Sequence, residues 1–392
     1  MTAVPAPPST FYVCPGERHA ISRSVHWGRL AAFYEKCRHC EHRGDTGLLP
    51  REVATVWDRR PHSARQALEF TADGVRGRYL NELDRAGAHR FASAFAHELW
   101  NRRPLRGRVA ETVVVPPVRS QTTGPTIVVG YDERPSSPDL AVGLVTALRQ
   151  MGCRVIDVGR ATKPMWQFAA RRTRADGGLF VTGAGCDPAW TGFDVLSPAG
   201  TSPHDLADRM DGTPQRPTRA AGSVQSLAIA DDYAASLPPY FHALRPLRVV
   251  CATPLETLQF VLPRLFQRLP CELTCQPWPR QRRSTDGSMR GGERVAAQVR
   301  DRAADVGMLI DEDGQTCDVW DERGISLSRT IWQAWLIDRW QAVEAGRLTL
   351  DDQQRLWRHE CNDSACDGVI TLGTLLQALS LSDAPLSQQM PQ

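Results

Sequence analysis

The sequence predicts an α/β protein, with consecutive three-layer α/β/α domains that follow a small Cys/His-rich N-terminal segment. Three observations lead to this fold class. From Phe70 onward, apolar runs of strand length alternate with stretches of helical periodicity, which is the pattern of parallel βαβ units. A stretch rich in Gly, Pro, Arg and Thr interrupts this alternation after residue 205, as a linker between two domains would. Before residue 61, cysteine and histidine cluster instead, so we expect a separate small unit there.

The length of 392 residues allows two to three domains. We place the boundaries where the composition changes. The predicted segments are the Cys/His-rich residues 1–61, a first α/β/α domain over 62–204, a linker over 205–225, a second α/β/α domain over 226–324, and a trimmed helical third domain over 325–392.

Each predicted element depends on the spacing of its apolar residues. Phe91, Phe95 and Leu99 recur at helical spacing, whereas residues 126–130 read T-I-V-V-G, which is typical of a short buried strand. The stretch over 70–77 is rich in turn residues, and we predict turns there. The predicted helices cover 84–100, 140–151, 164–174, 231–242, 255–269 and 295–304, and the predicted strands cover 126–130, 155–158, 178–182, 247–251, 272–275 and 306–310.

A tryptophan-rich helix is predicted near the start of the third segment. Trp332, Trp335, Leu336 and Trp340 fall on one face of that helix. Such a face is usually core, and otherwise a contact with a protein partner. The N-terminal segment is the second candidate for a partner contact.

The N-terminal segment also carries a candidate metal site. Cys37 and Cys40 have the C-x2-C spacing that lets two thiolates bind one Zn²⁺ from a tight turn. Cys14 with His19, or with His26 in place of His19, would complete a tetrahedral set. A segment this small has little core, so a structural zinc would explain how it folds. The alternative is a chance cysteine pair in a helical arm, because a second C-x2-C pair is missing.

Composition excludes several classes of function. A formal net charge of +3 gives no reason to propose a nucleic-acid partner. No run reaches the roughly 18 apolar residues of a membrane span, and no leader pattern opens the chain, so we expect a cytoplasmic protein with reduced thiols. Lysine occurs only at Lys36 and Lys163 among many arginines, which fits anion binding or a compositional bias of the genome.

Five motifs follow one another along the chain. The segment over 180–194 reads FVTGAGCDPAWTGFD, the outline of a T-A-S-H-N-P loop followed by N-G-[FY]-K. The other four are D-G-V-R-G at 73–77, V-G-Y-D-E-R-P-S-S at 129–137, I-D-E-D-G-Q-T at 310–316, and a weaker pair of D-G-V-I-T at 367–371 with A-P-L-S at 384–387. Together they resemble the α-D-phosphohexomutase superfamily, which contains phosphoglucomutase and phosphomannomutase.

The resemblance implies an intramolecular phosphotransferase, an isomerase of hexose phosphate metabolism. In this family a phosphoserine donates its phosphoryl group to a hexose phosphate, and the enzyme takes the other phosphoryl back from the bisphosphate. Three aspartates and the phosphoserine hold Mg²⁺, while arginines and a lysine bind phosphate.

Position by position, this chain departs from the family pattern. Ala184 occupies the position of the family's phosphoserine, Gly185 that of the histidine, and Asp194 that of a phosphate-binding lysine. An alanine has no oxygen to phosphorylate. Arg76 and Arg134 match phosphate-binding arginines, although Arg76 could equally form a structural ion pair.

In the metal loop, Asp311 and Asp313 match two metal ligands, whereas Gln315 replaces the third and Thr316 an arginine. Glu312 stands at a family glycine. Two charged ligands are a poor set for Mg²⁺. We find neither the sugar-reading G-E-x-S-G-H loop nor the R-x-S-G-T loop of a fourth domain, which we expect to be absent.

Three functions follow from these observations. The first is a catalytically inactive mutase homologue with a binding, scaffolding or regulatory role. The second is an active mutase with a displaced nucleophile, for which Thr182, Cys186, Asp187 and Thr191 are the candidates. The third is a sensor that binds a hexose phosphate through Arg76 and Arg134 without turnover.

Overall fold

In the computed structural model of the protein, the chain divides into two compact units, Met1–Ala67 and Leu68–Gln392. The structure describes residues 11–14, 18–32, 34, 36–37, 40–47, 49–54, 68–71, 73–102, 124–197, 202–207, 209–210, 216–279, 292–341, 347–360 and 363–390.

The N-terminal unit is a hairpin followed by a short helix. Its elements are β1 (Phe11–Val13), β2 (Ala20–Ser22), α1 (Arg23–Ala31) and a 3₁₀ turn (Glu41–Gly44). Ser22 caps α1 by accepting a hydrogen bond from the backbone N–H of Val25. Among the described residues of this unit the apolar core is small, with Leu30 and Cys37 fully buried and Trp27 packed against them. A core of this size contributes little stability by itself.

The larger unit begins with a seven-stranded mixed sheet in the order β3-β4-β8-β7-β5-β6-β9. Strands β7, β5, β6 and β9 are parallel neighbours, and β8, β4 and β3 continue the sheet antiparallel. Its elements are β3 (Glu69–Phe70), β4 (Gly74–Arg78), α2 (Arg85–Arg102), β5 (Thr126–Tyr131), α3 (Ser137–Gln150), β6 (Arg154–Arg160), α4 (Lys163–Thr173), β7 (Gly177–Val181), β8 (Trp190–Leu196), α5 (Pro203–Ala207) and β9 (Ser223–Ser226).

Helices cover both faces of this sheet, as predicted for the first domain. In β5, Ile127 and Val129 pack with α2 and α3, whereas Val128 packs with Trp166 of α4. Successive side chains of a strand point to opposite faces, so an uninterrupted apolar run indicates helices on both sides. The three-layer prediction is confirmed here.

Two stretches predicted as turn or loop are strands, β4 and β8, which pair antiparallel. Glycine usually weakens a strand, which hides the pattern in the sequence. Here the two backbones approach so closely that a Cβ on Gly192 would lie 1.9 Å from the carbonyl oxygen of Val75. The predicted linker over 205–225 also differs, because it runs into β9 at the sheet edge.

The second sheet has five strands in the order β11-β10-β12-β13-β14. Val249 and Cys251 of β10 face the main core, while Val250 and Ala252 face α8 on the opposite side. The elements are α6 (Ile229–Ser236), a 3₁₀ turn (Pro238–Phe241), β10 (Arg248–Thr253), α7 (Glu256–Phe266), β11 (Glu272–Pro277), α8 (Glu293–Asp301), β12 (Val306–Ile310), β13 (Cys317–Trp320), β14 (Ser326–Leu327) and α9 (Arg329–Gln341).

The third segment was predicted to be helical, but it also contains a three-stranded antiparallel sheet. Leu348 and Leu356 of this sheet are buried in the main core, whereas Arg347 is exposed and Thr349 and Trp357 are half-buried, and this short alternation was missed in the sequence. The elements are β15 (Arg347–Leu350), β16 (Leu356–Glu360), β17 (Asp363–Ala365), α10 (Gly368–Ser380) and α11 (Leu386–Gln389).

The main hydrophobic core of the larger unit joins both large sheets and the third segment. Trp332, Trp335 and Trp340 of α9 belong to it and are 1%, 8% and 1% exposed. The tryptophan-rich face is therefore core, and the predicted partner contact through it is wrong because the indole rings are not accessible.

Candidate functional site

A polar cleft lies where loops at the carboxyl ends of parallel strands meet, the usual place for a ligand in an α/β sheet. Loops after β5, β6, β7 and β12 contribute to it, together with residues of the third segment, and it encloses about 470 Å³ including its mouth. Among the described residues, its charged lining consists of the carboxylates Asp73, Asp132, Asp194, Glu312 and Asp313 and the cations Arg76, Lys163 and Arg355. Carboxylates outnumber cations, so the cleft as a whole does not favour a dianion.

The loop between β7 and β8 presents Ala184 to this cleft. The backbone N–H of Ala184 donates to Thr182 Oγ1 at 3.0 Å, and that of Gly183 donates to Asp132 Oδ2 at 3.1 Å. Gly185 has φ of +78°, a left-handed conformation that suits glycine. The loop is therefore held in a defined shape, with Ala184 lining the cleft.

Arg134 is fixed beneath this loop by several partners. Its guanidinium donates to the carbonyl oxygens of Asp187 and Trp190 at 3.2 and 3.0 Å, and to Glu312 Oε1 at 3.0 Å. The side chains of Arg134 and Glu312 are each 8% exposed. Burial raises the pKa of Glu312, although Arg134 and the backbone N–H of Gly185 oppose this.

Asp194 is the centre of a buried group of ion pairs. It lies 2.6 Å from Arg76 Nη2 and 2.7 Å from Lys163 Nζ, and it is 2% exposed. Burial disfavours its ionised form, but Arg76 and Lys163 together lower the pKa of Asp194 to about 2. The two neighbouring cations therefore compensate the negative charge that Asp194 brings to this position.

The pairing continues from Lys163 to a residue of the third segment. Asp73 Oδ2 lies 3.1 Å from Lys163 Nζ and 2.8 Å from Arg355 Nη1, and Arg355 also pairs with Asp351. We call the alternating set Arg76, Asp194, Lys163, Asp73 and Arg355 the ion-pair chain. Each of its cations already has a carboxylate partner inside the protein.

The loop after β12 does not offer a Mg²⁺ site. Asp313 Oδ1 accepts the backbone N–H groups of Gln315 and Thr316, and Asp311 Oδ1 accepts the N–H of Glu312. Gln315 Oε1 accepts a hydrogen bond from Arg355, and Gln315 Nε2 donates one to the carbonyl oxygen of Cys366. The two aspartates thus serve the turn of their own loop, so the residues present do not fit the family's magnesium.

The predicted zinc ligands are only partly brought together. Cys14, Cys37 and Cys40 are buried, and burial together with the neighbouring Cys14 and Cys40 thiols raises the pKa of Cys37. His19 is exposed, and buried His26 contacts the carbonyl oxygen of Asp45 through Nε2. Across the part of the chain that the structure describes, no group of three or more His, Cys, Asp or Glu side chains is arranged to hold a metal ion.

Sequence reasoning missed Lys163 and Arg355 as residues of the site. The rarity of lysine could have drawn attention to Lys163, which is one of two in the chain. Arg355 gave no signal, because it pairs with Asp73 across 282 positions. Glu133 was also missed; its carboxylate accepts the N–H groups of Glu256 and Thr257 and so caps α7 of the second sheet.

Comparison with known proteins agrees with this architecture. Residues 67–209 match the family model of phosphoglucomutase/phosphomannomutase, alpha/beta/alpha domain I. The phosphomannomutase/phosphoglucomutase of Pseudomonas aeruginosa is 26% identical over 198 residues, which are 48% of this chain and 42% of that protein. The phosphoglucosamine mutase of Symbiobacterium thermophilum is 28% identical over 269 residues, which are 65% of this chain and 56% of that protein.

A solved structure of a phosphoglucomutase/phosphomannomutase family protein from Burkholderia thailandensis has the same fold. It superposes with a TM-score of 0.64 at 20% identity, over 82% of this chain and 79% of that chain. The family model over residues 67–209, the relatives in sequence and the shared fold together support membership of the α-D-phosphohexomutase superfamily. It matches less than half the length, 42%, of the Pseudomonas aeruginosa relative.

None of the helices in the described ranges is both long enough and apolar enough to cross a membrane.

Proposed function

We propose that this protein is a catalytically inactive phosphohexomutase homologue with a binding, scaffolding or regulatory role. The observation that carries the proposal is Ala184, a methyl group on the cleft-lining loop where the family has its phosphoserine. Covalent phosphoryl transfer needs a nucleophilic oxygen at that position.

Other side chains of the loop are poor substitutes for the missing nucleophile. Thr182 lines the cleft, but its Oγ1 is occupied by the backbone N–H of Ala184. Thr191 is fully buried in β8, and Asp187 is exposed and accepts the N–H of Ala189. Cys186 carries its side chain on the same loop without lining the cleft. An active mutase with a displaced nucleophile is therefore not favoured.

The state of the candidate phosphate ligands supports the same proposal. Arg76 pairs with Asp194, and Arg134 pairs with Glu312. Binding a phosphate dianion would require a cation to leave its carboxylate, and an unpaired buried charge costs about 3–5 kcal/mol. This cost also weakens the case for a hexose phosphate sensor.

The test is phosphorylation and turnover. Purified protein is incubated with glucose 1,6-bisphosphate and Mg²⁺ and examined by intact mass, with the Pseudomonas aeruginosa phosphomannomutase/phosphoglucomutase as positive control. We expect an unmodified mass and no conversion of glucose 1-phosphate. Turnover would refute the proposal, and a thermal shift with glucose 1-phosphate but no adduct would favour the sensor.

We also propose a structural Zn²⁺ in the N-terminal unit. Support comes from the burial of Cys14, Cys37 and Cys40 and from the small core of this unit. Val13 pairs with Ala20 in the hairpin, so Cys14 and His19 are the next residues across it. Zinc binding requires His19 to turn inward, with thiolates at about 2.3 Å from the metal.

Metal analysis of the whole protein tests the zinc proposal. We expect about one equivalent of zinc per chain. The double variant Cys37→Ser/Cys40→Ser should lose the zinc, while the control Cys186→Ser in the larger unit should keep it. Zinc-free wild-type protein, or equal zinc in all three, would refute the site.

We further propose a cytoplasmic location and a protein partner that contacts the N-terminal unit. The cysteines in the described ranges are thiols, which suits a reducing compartment. Crosslinking of the full chain and of Phe11→Ser in cells would test the partner contact, because Phe11 is 63% exposed on the hairpin. Identical crosslinks from both would argue against it.

A further inference from the structure

Glu312 joins two loops of the cleft that come from different sheets. From the loop after β12, its Oε1 accepts the backbone N–H of Gly185 at 2.7 Å and the guanidinium of Arg134 at 3.0 Å. One carboxylate oxygen therefore receives a main-chain donor and an arginine donor at once. Phosphate oxygens are bound by the same combination of donors.

We propose that Glu312 is a built-in anion that occupies an oxyanion site formed by Gly185 and Arg134, and that this site accepts inorganic phosphate once Glu312 is removed. The inference rests on the proposed function, because it explains how the cleft is kept closed to phosphate. Its ligand class is the tetrahedral oxyanion of a phosphate or phosphate monoester.

The site remains formed without Glu312. Arg134 also donates to the carbonyl oxygens of Asp187, Trp190 and Cys186 at 3.2, 3.0 and 3.3 Å. These partners keep the guanidinium under the loop when the glutamate is absent. The backbone of the loop has its own turn, in which the N–H of Cys186 donates to the carbonyl oxygen of Gly183 at 3.0 Å. Donors that are already in place bind an anion without an ordering cost.

The internal carboxylate has two advantages over free phosphate. Glu312 is attached to the same chain, so its effective concentration at the donors is about millimolar or higher, and it loses no translational freedom on binding. Its own charge, next to that of Asp132, also repels a second anion: Asp132 Oδ2 lies 3.7 Å from Arg134 Nε. In a variant that lacks the glutamate side chain the tethered competitor is gone, and of the two repelling charges only that of Asp132 remains.

Phosphate titration of the full-length chain by calorimetry, at constant ionic strength, tests the proposal. We expect no measurable binding to wild type and at least about tenfold tighter binding to Glu312→Ala, since charge-assisted hydrogen bonds become available. Glu256→Gln is the matched control, because it removes one negative charge from a residue that is 69% exposed and pairs with Arg160 instead. It should behave as wild type.

A double variant locates the binding. In Arg134→Gln/Glu312→Ala the gain should disappear, because one of the two donors is missing. Glu312→Gln is the second variant if Glu312→Ala does not fold, and its neutral amide should give a smaller gain of the same sign. Equal phosphate binding by wild type and by the folded Glu312 variant, no gain in that variant, or a gain that survives loss of Arg134 would overturn the proposal.

The outcome is separable from that of the proposed function. Conversion of glucose 1-phosphate by wild type would refute catalytic inactivity, and the phosphate titration does not depend on it. Absence of turnover together with unchanged phosphate affinity in Glu312→Ala would refute only the role of Glu312.

Discussion

Asp194→Asn removes one charge from the middle of the ion-pair chain and leaves the shape of the side chain almost unchanged. In the wild type, the carboxylate lies 2.6 Å from Arg76 and 2.7 Å from Lys163. The side chains of Arg76 and Lys163 are 11% and 10% exposed, so neither cation recovers its hydration in the variant. The substitution leaves Arg76 without its carboxylate partner and leaves Lys163 with Asp73 alone.

The expected loss of stability in Asp194→Asn follows from the lowered pKa of Asp194 and from the cation that is left unpaired. One pKa unit corresponds to about 1.4 kcal/mol, so lowering the pKa of Asp194 from 3.8 to about 2 corresponds to roughly 2 kcal/mol of stability at neutral pH. Breaking a buried ion pair by removing one partner costs about 3–5 kcal/mol. We therefore expect the free energy of unfolding at pH 7 to fall by about 3 kcal/mol.

Urea unfolding followed by tryptophan fluorescence measures this loss, with Asp232→Asn as the control. Asp232 pairs with Arg172 at 3.3 Å but is 40% exposed, so its loss should cost about 0–1 kcal/mol. The pKa of Asp194 is lower in the folded state, so its contribution is complete above about pH 4 and is lost as the pH falls toward about 2. The difference between wild type and variant should shrink over that range. A loss below about 1 kcal/mol at pH 7 would contradict the reasoning.

Three further predictions concern other parts of the larger unit. Burial raises the pKa of Asp367 to about 6, so the contribution of this group to stability is present below about pH 4 and is lost as the pH rises through 6. The free energy of unfolding of Asp367→Asn should therefore rise relative to that of wild type by up to about 3 kcal/mol by pH 7. Parallel pH profiles of urea unfolding for the two proteins would contradict this. Gly192→Ala would place a Cβ 1.9 Å from the carbonyl oxygen of Val75 and should lower the free energy of unfolding by more than about 3 kcal/mol. The shift of the urea midpoint measures this loss. A shift no larger than that of a Gly→Ala change at an exposed site would refute the close approach. Glu133→Ala removes the cap on the N–H groups of Glu256 and Thr257 and should lower the free energy of unfolding by about 1–2 kcal/mol. Hydrogen exchange should become faster only at the start of α7. Unchanged exchange there would count against the cap.

The fold of the larger unit was largely predictable because its parallel strands are continuous apolar runs. Residues 126–130 and 306–310 lie within or coincide with the observed strands β5 and β12. The antiparallel pair of β4 and β8 was missed because its glycines, which the close backbone approach requires, resemble turn residues. Strand β9, at the sheet edge, is exposed along its length and lacked an apolar signal.

The site was predictable at the level of positions but not of partners. The motif pointed to Ala184, Arg76 and Asp194 as members of one site. It did not show that Arg76 and Asp194 contact each other, because they are 118 positions apart in the chain. Contacts between distant residues depend on the register of the sheet, and a single sequence does not contain that information.

The ion-pair chain also has a consequence for how this protein could change over time. A lysine at position 194 would place a third cation beside Arg76 and Lys163, in a space where both now lie within 2.7 Å of the carboxylate. Such a substitution would destabilise the protein unless Lys163 changed as well, because like charges in a buried site repel strongly. The charges at positions 76, 163 and 194 are therefore interdependent, and a change of sign at one of them needs a matching change at another.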